Sequence, residues 1–126
     1  MDLQMSIQSS SLLQDDLEVL SREILLELAR TESIHAEAVP ALQAVGHKGA
    51  LEAIGTILLH AMGSVAFERL LGALVSFFQR EPTLHVSLSR VSEIEGQMVT
   101  ETISMHDVSE ENVAATLERI KTTFRE

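Results

Sequence analysis

Five histidines are the side chains of this 126-residue chain best suited to proton transfer or metal binding. They are His35, His47, His60, His85 and His106. Metal sites draw ligands from close clusters or from one helix face at short spacing. No two of these histidines are near in sequence, so each reads as a structural or surface residue, and no metal or other cofactor is expected. Carboxylates come in pairs at Asp15-Asp16, Glu93/Glu95 and Glu110-Glu111. Paired carboxylates do acid–base work only where burial splits their pKa values. These pairs fall in turns and helix starts, where solvation explains them. Gly63-Ser64 lacks the flanking glycine of a nucleophile elbow, and no phosphate-loop or dinucleotide fingerprint occurs. The segment Gly46-His47-Lys48-Gly49 could meet an anion at a helix entry, but its spacing fits no phosphate motif. With no constellation of nucleophile, base and electrophile, the chain is not expected to be an enzyme.

Composition narrows the partners. Forty-five per cent of residues are apolar, which excludes wholesale disorder, and the length suits one domain, 1–126, with a real core. The formal charge is −10 and the nine basic residues are scattered, so nucleic acid is excluded as a partner. Four phenylalanines are the only aromatics, too few for a base-stacking platform. The same charge disfavours anionic membrane surfaces and favours a basic patch on a protein partner. Cysteine is absent and no signal peptide opens the chain, consistent with a cytoplasmic protein.

The elements that would position any site follow from periodicity. Leu3, Met5 and Ile7 alternate with polar residues and predict a short first strand. Residues 11–30 read as a helix with a stripe of Leu13, Leu17, Leu20, Ile24 and Leu28, and Ser11 with Gln14 resembles a capping box. Residues 31–48 form a connection carrying Pro40, with a weak alternation at Ile34, Ala36 and Ala38. Residues 49–80 are helical by pattern. Gly63-Ser64 predicts a kink there, or two helices over about 50–62 and 64–80. Pro82 ends the pattern. Residues 84–91 form the clearest strand, with Leu84, Val86 and Leu88 inward and His85, Ser87 and Ser89 outward. Glu95-Gly96 makes a turn, and residues 98–105 return as a hairpin partner. Glu101 shares a face with Val99, Ile103 and Met105, which an edge position would explain. Ser109 is the expected N-cap of a last helix with Val113, Leu117, Ile120 and Phe124 on its apolar stripe. The fold class is α+β: a small, mostly antiparallel sheet packed by an N-terminal helix, a kinked or split central helix and a C-terminal helix.

Small residues dot the central helical pattern. Gly55, Gly63 and Gly72 permit close packing, within the chain or between subunits, with Phe67 beside them. Together with the outward His85 and Ser87 and the edge residue Glu101, they form the candidate interaction surface. The apolar run 53–67 is shorter than the ~20 residues of a membrane span and stops at Glu68-Arg69. A charge placed at Gly72 is expected to disturb burial or self-association.

The order of these features, over 12–120, resembles the bacterial effector-associated constant component family. The resemblance rests on the glycine-led helix HKGALEAIGTILL, the junction AMGSVAFERLLGALVSFFQRE, the strand TLHVSLSR directly after it, and the turn IEGQMV. Members are small standalone proteins encoded beside variable effector genes in conflict and immunity systems. The resemblance implies a non-enzymatic adaptor or assembly module that associates with an effector encoded nearby, such as a peptidase-like or nucleotide-triggered protein, with a homo-oligomer as a further possibility. It assigns no catalytic positions. Two other functions fit a small acidic α+β chain. One is a secretion-type chaperone that binds an extended effector segment by strand addition. The other is a membrane-inserting effector that uses the central apolar helix after activation.

Overall fold

The computed structural model describes residues 1–38 and 55–124. The glycine-flanked segment at 46–49, Pro40 and the helical pattern over 49–54 lie outside them. Strand β1 (Leu3–Ser9) is the central organiser. Its alternation puts Leu3, Met5 and Ile7 into the core. On one side it pairs antiparallel with β3 (Thr56–His60), and on the other with β4 (Leu84–Ile94). Strand β2 (His35–Ala38) flanks β3, and β5 (Gln97–His106) flanks β4, giving the order β2-β3-β1-β4-β5.

Helix α1 (Gln14–Arg30) joins β1 to β2, α2 (Ser64–Arg80) joins β3 to β4, and α3 (Val113–Thr123) follows β5. Among the described residues, the first six elements run βαββαβ with strand order 2-3-1-4, the pattern of the split βαβ connectivity of ferredoxin-like domains. A fifth strand and a third helix extend it. Inward residues of the strands and the apolar sides of the three described helices merge into one core. Leu20, Ile24 and Leu28 of α1 are buried, and Leu17 is half-buried. Leu13 is 74% exposed and stands outside the stripe.

The main correction concerns residues 56–60, which form a strand where the pattern predicts helix. Ile57, Leu58 and Leu59 make a continuous apolar run, which suits a strand buried between two others as well as it suits a helix. Ile57 and Leu59 face the core, and Leu58 faces the other side of the sheet half-buried. Gly63 does separate two elements, but they are a strand and a helix. The chain turns at Ala61, whose φ of 54° is left-handed. The Ala61 N–H donates to Asp2 Oδ1 at 2.9 Å, and the Met62 N–H to the Met1 carbonyl at 2.7 Å. Gly63 then caps α2 without a side-chain hydrogen bond. Among the described residues, no helix is long and apolar enough to cross a membrane.

Two expected caps are also corrected. Ser11 does not box with Gln14. Its hydroxyl lies 2.7 Å from Thr83 Oγ1, and α1 starts after Leu13 with no side-chain cap. The N–H groups of Ser11 and Leu12 donate to Ser9 Oγ instead. Helix α3 is capped by Asn112, not Ser109. Asn112 Oδ1 accepts the Ser109 N–H and its Nδ2 donates to the Asp107 carbonyl, so the longer amide side chain closes the loop that leads into the helix.

Strands β4 and β5 form the longest ribbon, joined by Glu95 and Gly96 at φ 52° and 80°. Two successive left-handed residues make the two-residue turn that matches strand twist. The β1 pairing stops at Ser89, so the ribbon continues beyond β1 as a two-stranded arm. At the root of the arm, Arg90 Nη2 bonds Glu101 Oε1 at 2.6 Å. Strand β5 ends the sheet, the edge position expected from Glu101.

Candidate interaction surface

The three described helices share the core side of the sheet. Among the described residues, the opposite side is lined by strand residues that are exposed or half-buried, except Thr56, which is buried. Registers define its rows. Gln4, Ser89 and Thr102 form one row beside Leu58. Ser6, Ser87 and Ser104 form the next beside Thr56, and Gln8, His85 and His106 the third. Small hydroxyls dominate because this side carries the polar half of each alternating strand. They bond across the ribbon, Ser87 to Ser104 at 3.3 Å and Ser89 to Thr102 at 3.0 Å. His85 and His106 stack with ring centroids 5.5 Å apart. The surface is uncharged through its middle and rich in groups that both donate and accept hydrogen bonds.

Its charged corner lies at the other end. His60 Nε2 donates to Glu37 Oε1 at 3.0 Å, and its Nδ1 lies 3.8 Å from Asp2 Oδ2. The Glu37 hydrogen bond raises the His60 pKa against a smaller opposing desolvation, with the Glu37 and Asp2 charges adding to the rise. The Ala61 N–H lowers the Asp2 pKa, helped by His60. Both side chains are exposed, so the corner is a titrating surface pair and not a buried base. Among the described residues, no group of three or more histidines or carboxylates is placed to hold a metal ion.

The expected interaction residues are not brought together. His85 and Ser87 lie on the open side of the sheet, and Glu101 lies on the opposite side, held by Arg90. Phe67 is buried at 3% exposure, its ring 6.3 Å from that of Phe124. Gly55 is buried, and its carbonyl accepts the Ile7 N–H at 2.6 Å. Both belong to the interior. Gly63 and Gly72 are exposed at separate places on α2, with open space around each. The expectation that a charge at Gly72 would enter an apolar interior is therefore overturned: this position faces solvent.

Sequence reasoning pointed to the hairpin edge but did not single out the apolar residues of the arm. Val91 at 58% and Met98 at 70% exposure stand on its open side, on the same side as the hydroxyl rows. At the other end of β5, Arg119 Nη2 donates to the Ser104 carbonyl at 3.4 Å. A shallow groove runs there between β5 and α3, lined by Thr102, Ser104, Glu118 and Arg119. The exposed apolar pair was findable from the hairpin alternation, because Val91 and Met98 fall on the phase opposite to the core residues.

Compared with known proteins, the chain matches no family model, no curated protein and no solved structure.

Proposed function

We propose that this protein is a non-enzymatic adaptor or assembly module that associates with an effector protein encoded nearby, in a bacterial conflict or immune system. The observation that carries the interaction role is the side of the sheet opposite the described helices, hydroxyl-lined from Gln4 to His106. A partner laid on it loses few rotamers on this side, because serine and threonine are short and already bonded to each other across the strands. Specificity comes from matching the donor and acceptor rows, and from the apolar Val91 and Met98 at one end. The assignment to a conflict system comes from the resemblance of the helix–strand–turn order. The formal charge of −10 favours a partner with a basic rim.

The test is co-expression with the products of adjacent genes, followed by size-exclusion chromatography of the purified mixture. The wild-type chain is expected to co-elute with one of them. Ser87→Arg and Ser104→Arg are expected to keep the wild-type melting temperature and elute alone. Failure of every adjacent product to co-elute would overturn the adaptor role. Co-elution unchanged by both substitutions would overturn the sheet as the surface.

A further inference from the structure

We infer that β5 is a self-pairing edge: two copies of this chain join antiparallel along residues 97–103, centred on Thr100, into one continuous sheet. This rests on the proposed role as an assembly module and adds the geometry of assembly. Among the described residues, no strand pairs with the outer edge of β5. Native edges are blunted by lysine, proline, bulges or exposed charge. Strand β5 (Gln97–His106) has no lysine and no proline, and its pairing with β4 runs without a bulge. Its one carboxylate, Glu101, is already bonded to Arg90.

The phase of the edge follows from Arg119. The Ser104 carbonyl receives Arg119 from outside the ribbon, so it points away from β4. Peptide groups of alternate residues point the same way in a strand, so Thr102, Thr100 and Met98 also turn their N–H and C=O groups outward. The short hydroxyl contacts of Ser104 and Thr102 with β4 agree, since side chains approach more closely at non-hydrogen-bonded pairs. The stretch is bounded by the Glu95-Gly96 turn and by Arg119 on Ser104, and at Thr102 it opens onto the groove that separates β5 from α3. Its midpoint is Thr100.

A twofold axis at Thr100 sets Thr100 against its own copy and Met98 against Thr102 of the second copy. All of these are in the outward phase, so their backbone groups exchange hydrogen bonds. The same register carries the turn of the second copy, with its Glu95, to the end where Arg119 stands, and the reverse holds across the axis. Each copy thus offers an arginine to a carboxylate of the other. Elsewhere a chain of charge −10 repels its copy. The neutral edge with an arginine at one end and a glutamate at the other is where two copies can meet. Val91 and Met98 of both copies then fall on one side of the joined sheet.

The full chain has no cysteine, so a single substitution reports contact directly. Thr100→Cys is compared with Glu110→Cys, an exposed site away from the edge, using a short bismaleimide cross-linker. Light scattering across a concentration series is run on wild type and on Thr100→Lys. The pairing predicts a wild-type mass that rises from one copy to two, rapid dimeric cross-linking of Thr100→Cys only, and a Thr100→Lys variant that stays monomeric with an unchanged melting temperature. A wild type monomeric throughout, with Thr100→Cys cross-linking no faster than Glu110→Cys, would overturn it. A dimer that survives Thr100→Lys would overturn it too. Co-elution of an effector with a monomeric chain would remove the pairing and leave the adaptor role standing. A Thr100-linked dimer that binds no effector would do the reverse.

Discussion

Arg90 and Glu101 face each other at the root of the β4–β5 arm, with both Nε and Nη2 of the arginine on the same carboxylate oxygen at 3.1 and 2.6 Å. The arginine also lies over the Phe124 ring, 5.9 Å from its centroid, so the pair ties the arm to the C-terminal helix. Both side chains are mostly shielded from solvent. Removing the arginine leaves the Glu101 carboxylate without its charged partner, which costs more than the net worth of the pair. Arg90→Met is expected to lower stability by about 2 kcal/mol. Arg90→Met combined with Glu101→Met is expected to recover part of that loss. Urea unfolding of the two singles and the double closes the cycle, and purely additive losses would show that the pair is not coupled.

Gly55 is fixed by a backbone contact. A Cβ there would fall on the Ile7 carbonyl oxygen, well inside van der Waals distance. Backbone in a paired strand cannot step aside as a side-chain tip can. Gly55→Ala is expected to cost about 1–3 kcal/mol through displacement of β1 from β3. Chemical denaturation measures it, and stability equal to wild type would show that the strands absorb the methyl.

Gly72 is the opposite case. It lies in the interior of α2, on the solvent side, with nothing near the place a Cβ would take. Glycine within an exposed helix costs about 1 kcal/mol relative to alanine. Gly72→Ala is expected to raise the melting temperature, and Gly72→Arg to leave the fold intact. A drop in either variant would mean that this side of α2 is covered in solution.

These two glycines show where the sequence is informative. The phase of α2 was legible because its single-period pattern is bounded by Gly63 and Pro82. That of the β4–β5 hairpin was legible because alternation runs from Pro82 to the Glu95-Gly96 turn, and that of β1 because Leu3, Met5 and Ile7 alternate with polar residues before a serine cluster. The two-residue turn even fixes the register, since counting back from Ile94 opposite Gln97 sets His85 opposite His106. Strand β3 was not legible. Ile57-Leu58-Leu59 satisfies helix and strand alike, and only the strands on either side decide between them. The caps failed for a related reason. Ser11 and Ser9 turn to Thr83, more than seventy residues away in sequence, and no local motif records that. Of the candidate site, the outward His85 and Ser87 were readable from alternation. The burial of Gly55 and Phe67 depends on tertiary neighbours.

Ser21 sits in α1 at 4% exposure, and its hydroxyl has no hydrogen-bond partner among the described residues. A buried unpaired hydroxyl costs about 1–3 kcal/mol in desolvation, and alanine has the better helix propensity. Ser21→Ala is expected to stabilise the chain, by up to about 1 kcal/mol after the lost packing of the oxygen. Thermal unfolding is the check. Destabilisation would mean that the hydroxyl finds a partner in solution.

His60 gives the fold a pH dependence of definite sign. Its folded-state pKa is raised above the ordinary 6.5, first by the Glu37 hydrogen bond and then by the Glu37 and Asp2 charges. A raised pKa means that the folded state holds the proton more tightly than the unfolded chain. The contribution is therefore fully present below about 6.5, and it fades as pH rises through the folded value. Asp2 acts at the acid end. Its pKa is lowered from 3.8 by the Ala61 N–H and by His60, so its contribution is present above that value and fades as pH falls through the folded one. The corner links β2, β3 and the start of β1, and its exposure keeps the effect small and salt-sensitive. The expected result is a melting-temperature difference between wild type and His60→Gln that favours wild type at pH 5.5 and shrinks toward pH 8. High salt should flatten the difference at the lower pH. A difference that is constant between those pH values, or one that grows toward pH 8, would show that the imidazole is not held by Glu37 in the folded protein.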